Sequence, residues 1–111
     1  DSIGADLINS SLGYSHWDGD SIGPHLRDLN GHTAYISQTA SMLAQKGIVL
    51  CNSAGNEGSS TWHKINVPAD ADDILTIGAI DFRKKSTTFS SIGWLLKEGK
   101  LKGEDGKVVL A

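Results

Sequence analysis

The chain has 111 residues, of which 39% are hydrophobic and 21% are charged, and its net charge is −3 at neutral pH. These values are typical of one ordinary globular domain. Because acidic and basic residues are interspersed, we expect no binding of nucleic acid or of an anionic membrane surface. No segment approaches the roughly 20 apolar residues of a membrane-spanning helix. The single cysteine, Cys51, excludes a disulfide framework and a cysteine-based metal site.

The amino-terminal half predicts a strand, a long loop and a helix. Residues 5–13 are a short apolar run closed by small polar residues and a glycine, which predicts a strand. Residues 14–31 are rich in Gly, Asp and Asn and predict a long loop. A helix is predicted over residues 33–46, with Thr33 as its N-cap and Gly47 as its C-terminal stop signal. Its apolar face consists of residues at helical spacing, namely Ile36, Ala40, Leu43 and Ala44.

Two further strands are predicted after the helix. Residues 48–52 are apolar without alternation, as in a parallel strand covered on both faces. Residues 74–80 are also nearly all apolar, and Gly78 predicts a bend or a close backbone approach. The order strand, helix, strand, loop, strand predicts an α/β domain with a mostly parallel sheet and a crossover helix. Residues 94–111 interleave Lys, Glu and Gly with Leu and Val, and are predicted to be a hairpin or weakly ordered.

The long loop contains two patterns associated with catalysis or metal binding. Residues 19–23 match Gly-x-Ser-x-Gly, but no strand is predicted before Ser21 and no helix after it, so we interpret the match as a surface turn. His16, Asp18 and Asp20 alternate as metal ligands can, yet in a glycine-rich loop we favour solvated side chains. We therefore predict no metal site. A Ser-His-Asp triad stays open, because its members meet in space rather than in sequence.

The stretch Ser53-Ala54-Gly55-Asn56-Glu57-Gly58 follows directly on the strand predicted over residues 48–52. It lies at the carboxyl end of a parallel strand, where open α/β sheets bind ligands. Small neighbours leave the backbone accessible around Asn56. An asparagine also suits a turn, because it tolerates left-handed conformation and bonds to its own backbone. The stretch alone leaves both interpretations of Asn56 open.

Five separated stretches of the chain share a wider pattern. They are, in order, Ile8-Asn9-Ser10-Ser11-Leu12-Gly13, the run from Lys46-Gly47-Ile48-Val49 into Ser53-Ala54-Gly55-Asn56-Glu57-Gly58, Pro68-Ala69-Asp70-Ala71, Thr76-Ile77-Gly78-Ala79 and Phe89-Ser90-Ser91-Ile92-Gly93. In this order they resemble the middle of a subtilisin-like serine protease, a member of the subtilase family. The resemblance implies that residues 1–93 are the central part of a subtilase catalytic domain with a partial three-layer α/β fold. Residues 94–111 depart from the family and are expected to be a divergent tail.

The resemblance also implies roles for the residues around Asn56. In subtilases the corresponding asparagine points its side-chain amide into the oxyanion hole. Two segments of the family form the walls of the primary specificity pocket; here they are Ser11, Leu12 and Gly13 on one side and Ser53, Ala54 and Gly55 on the other. Glu57 is expected at the pocket rim, where its charge would favour basic or polar side chains. The small residues of both walls are expected to leave room for a large apolar side chain.

The family's catalytic Asp and His precede the matched region and its nucleophilic Ser follows it, so the resemblance assigns none of the three here. Because the chain begins at Asp1 without a signal peptide, we expect a piece of a longer polypeptide. The expected function is that of an endopeptidase fragment, inactive alone. One alternative is a degenerate subtilase-like module that binds peptides without cleaving them. Another is an unrelated α/β ligand-binding domain.

The resemblance extends to partners, cofactors and location. The expected partner is a polypeptide substrate, with neither nucleic acid nor membrane. No cofactor is expected; subtilases often bind calcium, but the sequence identifies no ligands for it. The family is typically secreted, which places the parent outside the cell or at its envelope. A fragment of the family's sheet would expose strand edges, so self-association is also expected.

Overall fold

The computed structural model describes residues 2–15, 29–92, 95–97 and 100–102. Strands β1 (Leu7–Ser10), β2 (Val49–Ser53) and β3 (Leu75–Ile77) form a parallel sheet in the order β1-β2-β3. Helix α1 (Tyr35–Gln45) connects β1 to β2 as a crossover. Strands β4 (Leu95–Lys97) and β5 (Lys100–Lys102) pair with each other in antiparallel fashion. The predicted α/β domain with a parallel sheet and a crossover helix is confirmed.

A small core lies between α1 and the sheet. Its buried members are Ala40, Leu50, Ala71 and Ile74, with Ile8 and Leu43 packed against them. Polar contacts join the same layer: the fully buried Ser37 hydroxyl donates to one carboxylate oxygen of Asp70 at 2.5 Å. The other Asp70 oxygen accepts the backbone N–H of Gly31 at 3.0 Å, so the end of the long loop is held against the helix.

The two ends of α1 differ in how well the sequence predicted them. Thr33 was predicted as the N-cap, and this was wrong: the helix begins after Ala34, and no side chain caps it. Instead, the Asn30 side-chain oxygen accepts the backbone N–H groups of His32 and Thr33, which orders the preceding turn. The C-terminal stop signal was correct. Gly47 has a φ of 80°, and the N–H groups of Gly47 and Ile48 bond back to the helix carbonyls in a Schellman motif.

The outer strands are shorter than the sequence predicted. Residues 5–13 contain only the four residues of β1, and residues 74–80 contain only the three of β3. The backbone beyond each strand bonds to another segment instead of to the sheet. Tyr14 exchanges two backbone hydrogen bonds with Val67, and the N–H of Ala79 donates to the Ser90 hydroxyl at 3.0 Å. Ile80 pairs in isolation with Ser86.

The two faces of the sheet are unequally covered. Leu50 and Asn52 of β2 point towards the helix layer and are buried. The opposite face carries exposed apolar side chains from all three strands, namely Leu7, Val49, Leu75 and Ile77. Burial on both faces of β2 was expected from its unbroken apolar pattern, but the described part of the chain covers only one. The second face is apolar enough to need a cover.

Several sequence expectations fall outside the described residues. Ser21 and the alternating His16, Asp18 and Asp20 all lie within residues 16–28, outside the described residues. Within the described part, no group of three or more His, Cys, Asp or Glu side chains is arranged to hold a metal ion. That part also has no helix of the length and hydropathy that a membrane span requires.

Candidate functional site

The three parallel strands end at one edge of the sheet, and a groove of about 260 Å³ opens there. Because the carboxyl ends of neighbouring parallel strands meet at the same edge, residues distant in sequence line it together. They are Asn9, Ser10, Ser11, Asn52, Ser53, Gly55, Asn56, Ile77, Gly78 and Ala79. The groove is therefore polar on the β1 and β2 sides and apolar on the β3 side.

Asn56 lies in the loop that follows β2, where it is exposed and is one of the residues that line the groove. Its amide forms no hydrogen bond with any residue that the structure describes. An asparagine that holds a turn uses its side chain on the local backbone, and Asn56 does not. The amide N–H groups of Asn56 are therefore available to a ligand in the groove.

Other residues hold the loop in place. The backbone N–H of Gly55, at a φ of 108°, donates to the Ser53 hydroxyl at 3.2 Å. The backbone N–H of Glu57 donates to the Ser91 hydroxyl at 2.9 Å, and the Ser91 N–H donates to the Gly55 carbonyl at 3.0 Å. These bonds attach the loop to a segment more than thirty residues further along the chain. The site loop is thus positioned by tertiary contacts.

Gly58 ends the loop at a close backbone approach. Its N–H donates to the Phe89 carbonyl at 2.9 Å. A Cβ at this position would lie 2.6 Å from the Thr88 carbonyl oxygen and 2.9 Å from the Phe89 carbonyl carbon, with the Ser90 carbonyl oxygen closer still. All three obstacles are backbone atoms, which cannot rotate away. Only glycine fits between the loop and residues 88–90.

The segment after β1 runs beside this loop. Leu12 is exposed, and its carbonyl accepts a hydrogen bond from the Asn52 side-chain amide at 3.2 Å. Asn52 is fully buried at the end of β2 and also donates to the Ser53 carbonyl at 2.9 Å. Its amide thus connects the two segments that are expected to form the pocket walls.

The predicted site residues are placed unequally around the groove. Four of them line it: Ser11, Ser53, Gly55 and Asn56. Ala54 is buried beneath the loop, where its N–H donates to the Ile77 carbonyl at 2.9 Å. Leu12, Gly13 and Glu57 lie beside the groove rather than among the residues that line it.

Sequence reasoning missed three polar residues around this edge. Asn52 had a usable signal, since a polar residue inside an otherwise apolar strand must find a buried hydrogen-bond partner. Asn66 packs beside Gly13 and Gly55, and Ser91 accepts the N–H of Glu57. Neither stands near Asn56 in sequence, so only the fold reveals their positions. Lys64 stands two residues before Asn66, and its burial lowers the pKa of its ammonium group below the usual value.

Comparison with known proteins defines the class to which this fold and groove belong. The family model described as "Subtilase family" matches residues 2–104. The chain is 37% identical over 91 residues to subtilisin DY of Bacillus licheniformis, covering 81% of this chain and 28% of the subtilisin. It is 30% identical over 90 residues to a thermophilic serine proteinase of Bacillus sp. (strain AK1), covering 81% of this chain and 18% of that protein.

A solved structure shows the same fold. The prenylagaramide maturation protease PagA matches with a TM-score of 0.57 and 27% identity, over 83% of this chain and 28% of that one. The chain belongs to the subtilase family. It spans less than a third of the length of the relatives that it matches.

Proposed function

We propose that the chain is part of the catalytic domain of a secreted subtilisin-like serine endopeptidase, in which Asn56 supplies the side-chain donor of the oxyanion hole. One observation carries the proposal: Asn56 lines the groove and its amide has no hydrogen-bond partner among the described residues, while Ser53 and Ser91 hold its loop. The family assignment supports the same role.

The chemistry requires a neutral donor at this position. When a serine oxygen attacks a peptide carbonyl, the carbonyl double bond opens and negative charge develops on its oxygen. A donor already in place stabilises that charge more than it stabilises the ground state, which accelerates the reaction. An amide N–H₂ donates without ionising, whereas an aspartate of similar shape would be acceptor-only at neutral pH.

The polypeptide substrate would lie along the edge of the sheet where the groove opens. In this arrangement Ser11, Leu12 and Gly13 border one side of the substrate and Ser53, Ala54 and Gly55 the other. The Asn52 amide, which donates to the Leu12 carbonyl, would hold the first segment at a constant distance from the second. Glu57 would lie at the rim. No cofactor is needed for this acyl transfer, and calcium remains a proposal from the family alone.

The chain on its own is expected to hydrolyse no peptide, because an oxyanion donor without a nucleophile offers no acyl-enzyme route. We place the catalytic Asp and His before this chain and the Ser after it, as in the family. The test assays the isolated chain and the full-length protein against the same fluorogenic peptide mixture, with and without a serine-directed phosphonate. We expect phosphonate-sensitive hydrolysis from the full-length protein alone.

Two results would contradict the proposal. A burst of product from the isolated chain, abolished by the phosphonate, would place the nucleophile inside these 111 residues. A full-length protein that binds peptides and releases no product would instead support a non-catalytic peptide-binding module.

The isolated chain is also expected to self-associate. In the described sheet, β1 and β3 each pair only with β2, so each has one unpaired edge. The face bearing Leu7 and Ile77 is apolar and exposed. Unpaired edges and apolar faces both promote association between copies. Sedimentation velocity over a tenfold concentration range should show species larger than 11.8 kDa; a monomer at every concentration would count against this expectation.

A further inference from the structure

The turn that follows β3 carries an exposed basic tip, residues 82–85, with the sequence Phe-Arg-Lys-Lys. Below the tip, Ile80 and Ser86 pair in antiparallel fashion. The Asp81 N–H donates to the Lys85 carbonyl at 2.8 Å, which closes the turn. All four residues of the basic tip are exposed, and backbone hydrogen bonds within the turn hold them in place.

The three cations of the basic tip form no ion pair with a residue that the structure describes. The acid beside them, Asp81, uses its carboxylate on the turn itself: one oxygen accepts the backbone N–H groups of Arg83 at 2.8 Å and of Lys85 at 3.0 Å. Lys84 has a φ of 61°, a conformation that glycine or asparagine adopts with less strain. The geometry of the turn therefore does not require a lysine there, and the three charges are open to a ligand.

An aromatic side chain shares the basic tip with these cations. Phe82 is 89% exposed, and Ile80 is 64% exposed. The guanidinium carbon of Arg83 lies 5.1 Å from the centroid of the Phe82 ring. Because burial of adjacent unpaired cations is strongly unfavourable, we expect the rest of the full-length protein to leave the basic tip in solvent. Phe82 directly precedes the cations in the chain, so it stays at the surface with them.

We propose that the basic tip docks the protein on an anionic lipid bilayer. Phe82 inserts at the boundary between headgroups and acyl chains, while Arg83, Lys84 and Lys85 lie beside the anionic headgroups. A bilayer accepts a protruding aromatic ring without a preformed cavity, whereas an acidic protein partner would need a pocket for Phe82 as well as carboxylates for the cations. This inference is independent of the proposed function.

The charge pattern of the whole chain gave the opposite expectation, that no anionic membrane surface is bound. Its net charge of −3 is an average over 111 residues. Such an average does not show that three cations and an exposed aromatic ring share one turn. Electrostatic attraction to a lipid surface acts only within about a Debye length, so the charge of the nearest turn counts for more than the net charge.

The experiment measures cosedimentation of the full-length protein with vesicles. One set consists of phosphatidylcholine alone, and the other contains phosphatidylcholine and phosphatidylglycerol in equal parts. We expect binding to the anionic vesicles alone, and its loss in about 1 M NaCl, where the Debye length falls to about 3 Å. The variant that combines Arg83→Gln, Lys84→Gln and Lys85→Gln should bind roughly 100-fold more weakly. Phe82→Ser, which keeps all three charges, should bind about 10-fold more weakly.

Two matched controls change the same residue types elsewhere on the surface. Tyr35→Ser removes an aromatic side chain that is 83% exposed on α1 and has no Lys or Arg beside it in sequence. Lys46→Gln removes an exposed cation at the other end of the same helix. Binding to anionic vesicles should be unchanged in both. Tm should match wild type in all of these variants, because every side chain that they change is exposed.

The outcomes separate lipid from other partners. Wild type that binds neither set of vesicles, or binds both equally, would overturn the proposal, as would full binding by the glutamine variant. Unchanged binding of Phe82→Ser, together with competition by soluble poly-glutamate, would assign the basic tip to an acidic polypeptide and also overturn it. Peptide hydrolysis enters none of these assays, so the protease assignment and this proposal can fail separately.

Discussion

Replacing Asn56 with alanine in the full-length protein is expected to lower kcat by about 10²–10³-fold while KM stays nearly unchanged. That magnitude is the one known for this donor in a subtilisin and is carried over to this chain. The physical reason is that the amide would bond to the oxygen only when it becomes anionic, so its loss affects the transition state more than the bound substrate. Steady-state kinetics on one peptide substrate measure both constants.

The stability of the same variant is an internal check. The Asn56 side chain is exposed and makes no hydrogen bond within the described structure, so the free energy of unfolding should change by less than about 0.5 kcal/mol. Ser60→Ala is the control, because the Ser60 hydroxyl donates to the Glu57 carbonyl at 2.9 Å and holds the same loop. It should lower Tm while retaining most turnover. A rise in KM at constant kcat for Asn56→Ala would contradict the oxyanion role.

Gly58→Ala is expected to disrupt the site from the opposite end of the loop. Its methyl group would lie 2.6 Å from the Thr88 carbonyl oxygen, so the loop and residues 88–90 must separate. Overpacking of this kind costs about 1–3 kcal/mol in stability. Because a displacement of about 1 Å can cost 10²-fold in rate, turnover should fall by about that factor. Thermal unfolding and kcat, measured on the same preparation, check both expectations.

Gly47→Ala is the matched glycine variant. Gly47 has a φ of 80° but no atom within 4 Å of an added Cβ. Its replacement therefore costs only the left-handed conformation, about 1–2 kcal/mol. Both variants should be destabilised to a similar degree, yet only Gly58→Ala should lose turnover. Equal losses of turnover would show that activity follows global stability rather than the position of the site loop.

The fold was predictable where the sequence carries a local signal. Helix α1 has apolar residues at helical spacing and a glycine that enforces its C-terminal turn, so the predicted end of the helix was correct. Its start was not, because Thr33 has the right chemistry for an N-cap but Asn30 orders the turn instead. The outer strands were predicted too long, since apolar composition does not reveal where backbone groups leave the sheet for Val67 or Ser90.

The candidate site was predictable only along two short segments. Asn56 follows strand β2 and has small residues as its neighbours. The sequence stretches around it occur in the same order as in a known family. Asn66 reaches the site through the path of the chain, and no local pattern marks it. Ser91 lies in a stretch that matches the family, but that stretch does not show that its hydroxyl holds the loop of Asn56.

The buried amide of Asn52 also bears on strand alignment. β2 carries apolar residues on both faces, Val49 and Cys51 on one and Leu50 on the other, so burial of apolar area discriminates weakly between registers. A one-residue slip would turn Asn52 to the opposite face and separate its N–H₂ from the Leu12 carbonyl. The slipped state would lose that hydrogen bond, which contributes about 0.5–1.5 kcal/mol, and would turn the amide to the exposed face of the sheet. One polar side chain thereby selects a single alignment of the sheet, and with it the place where Asn56 emerges four residues later.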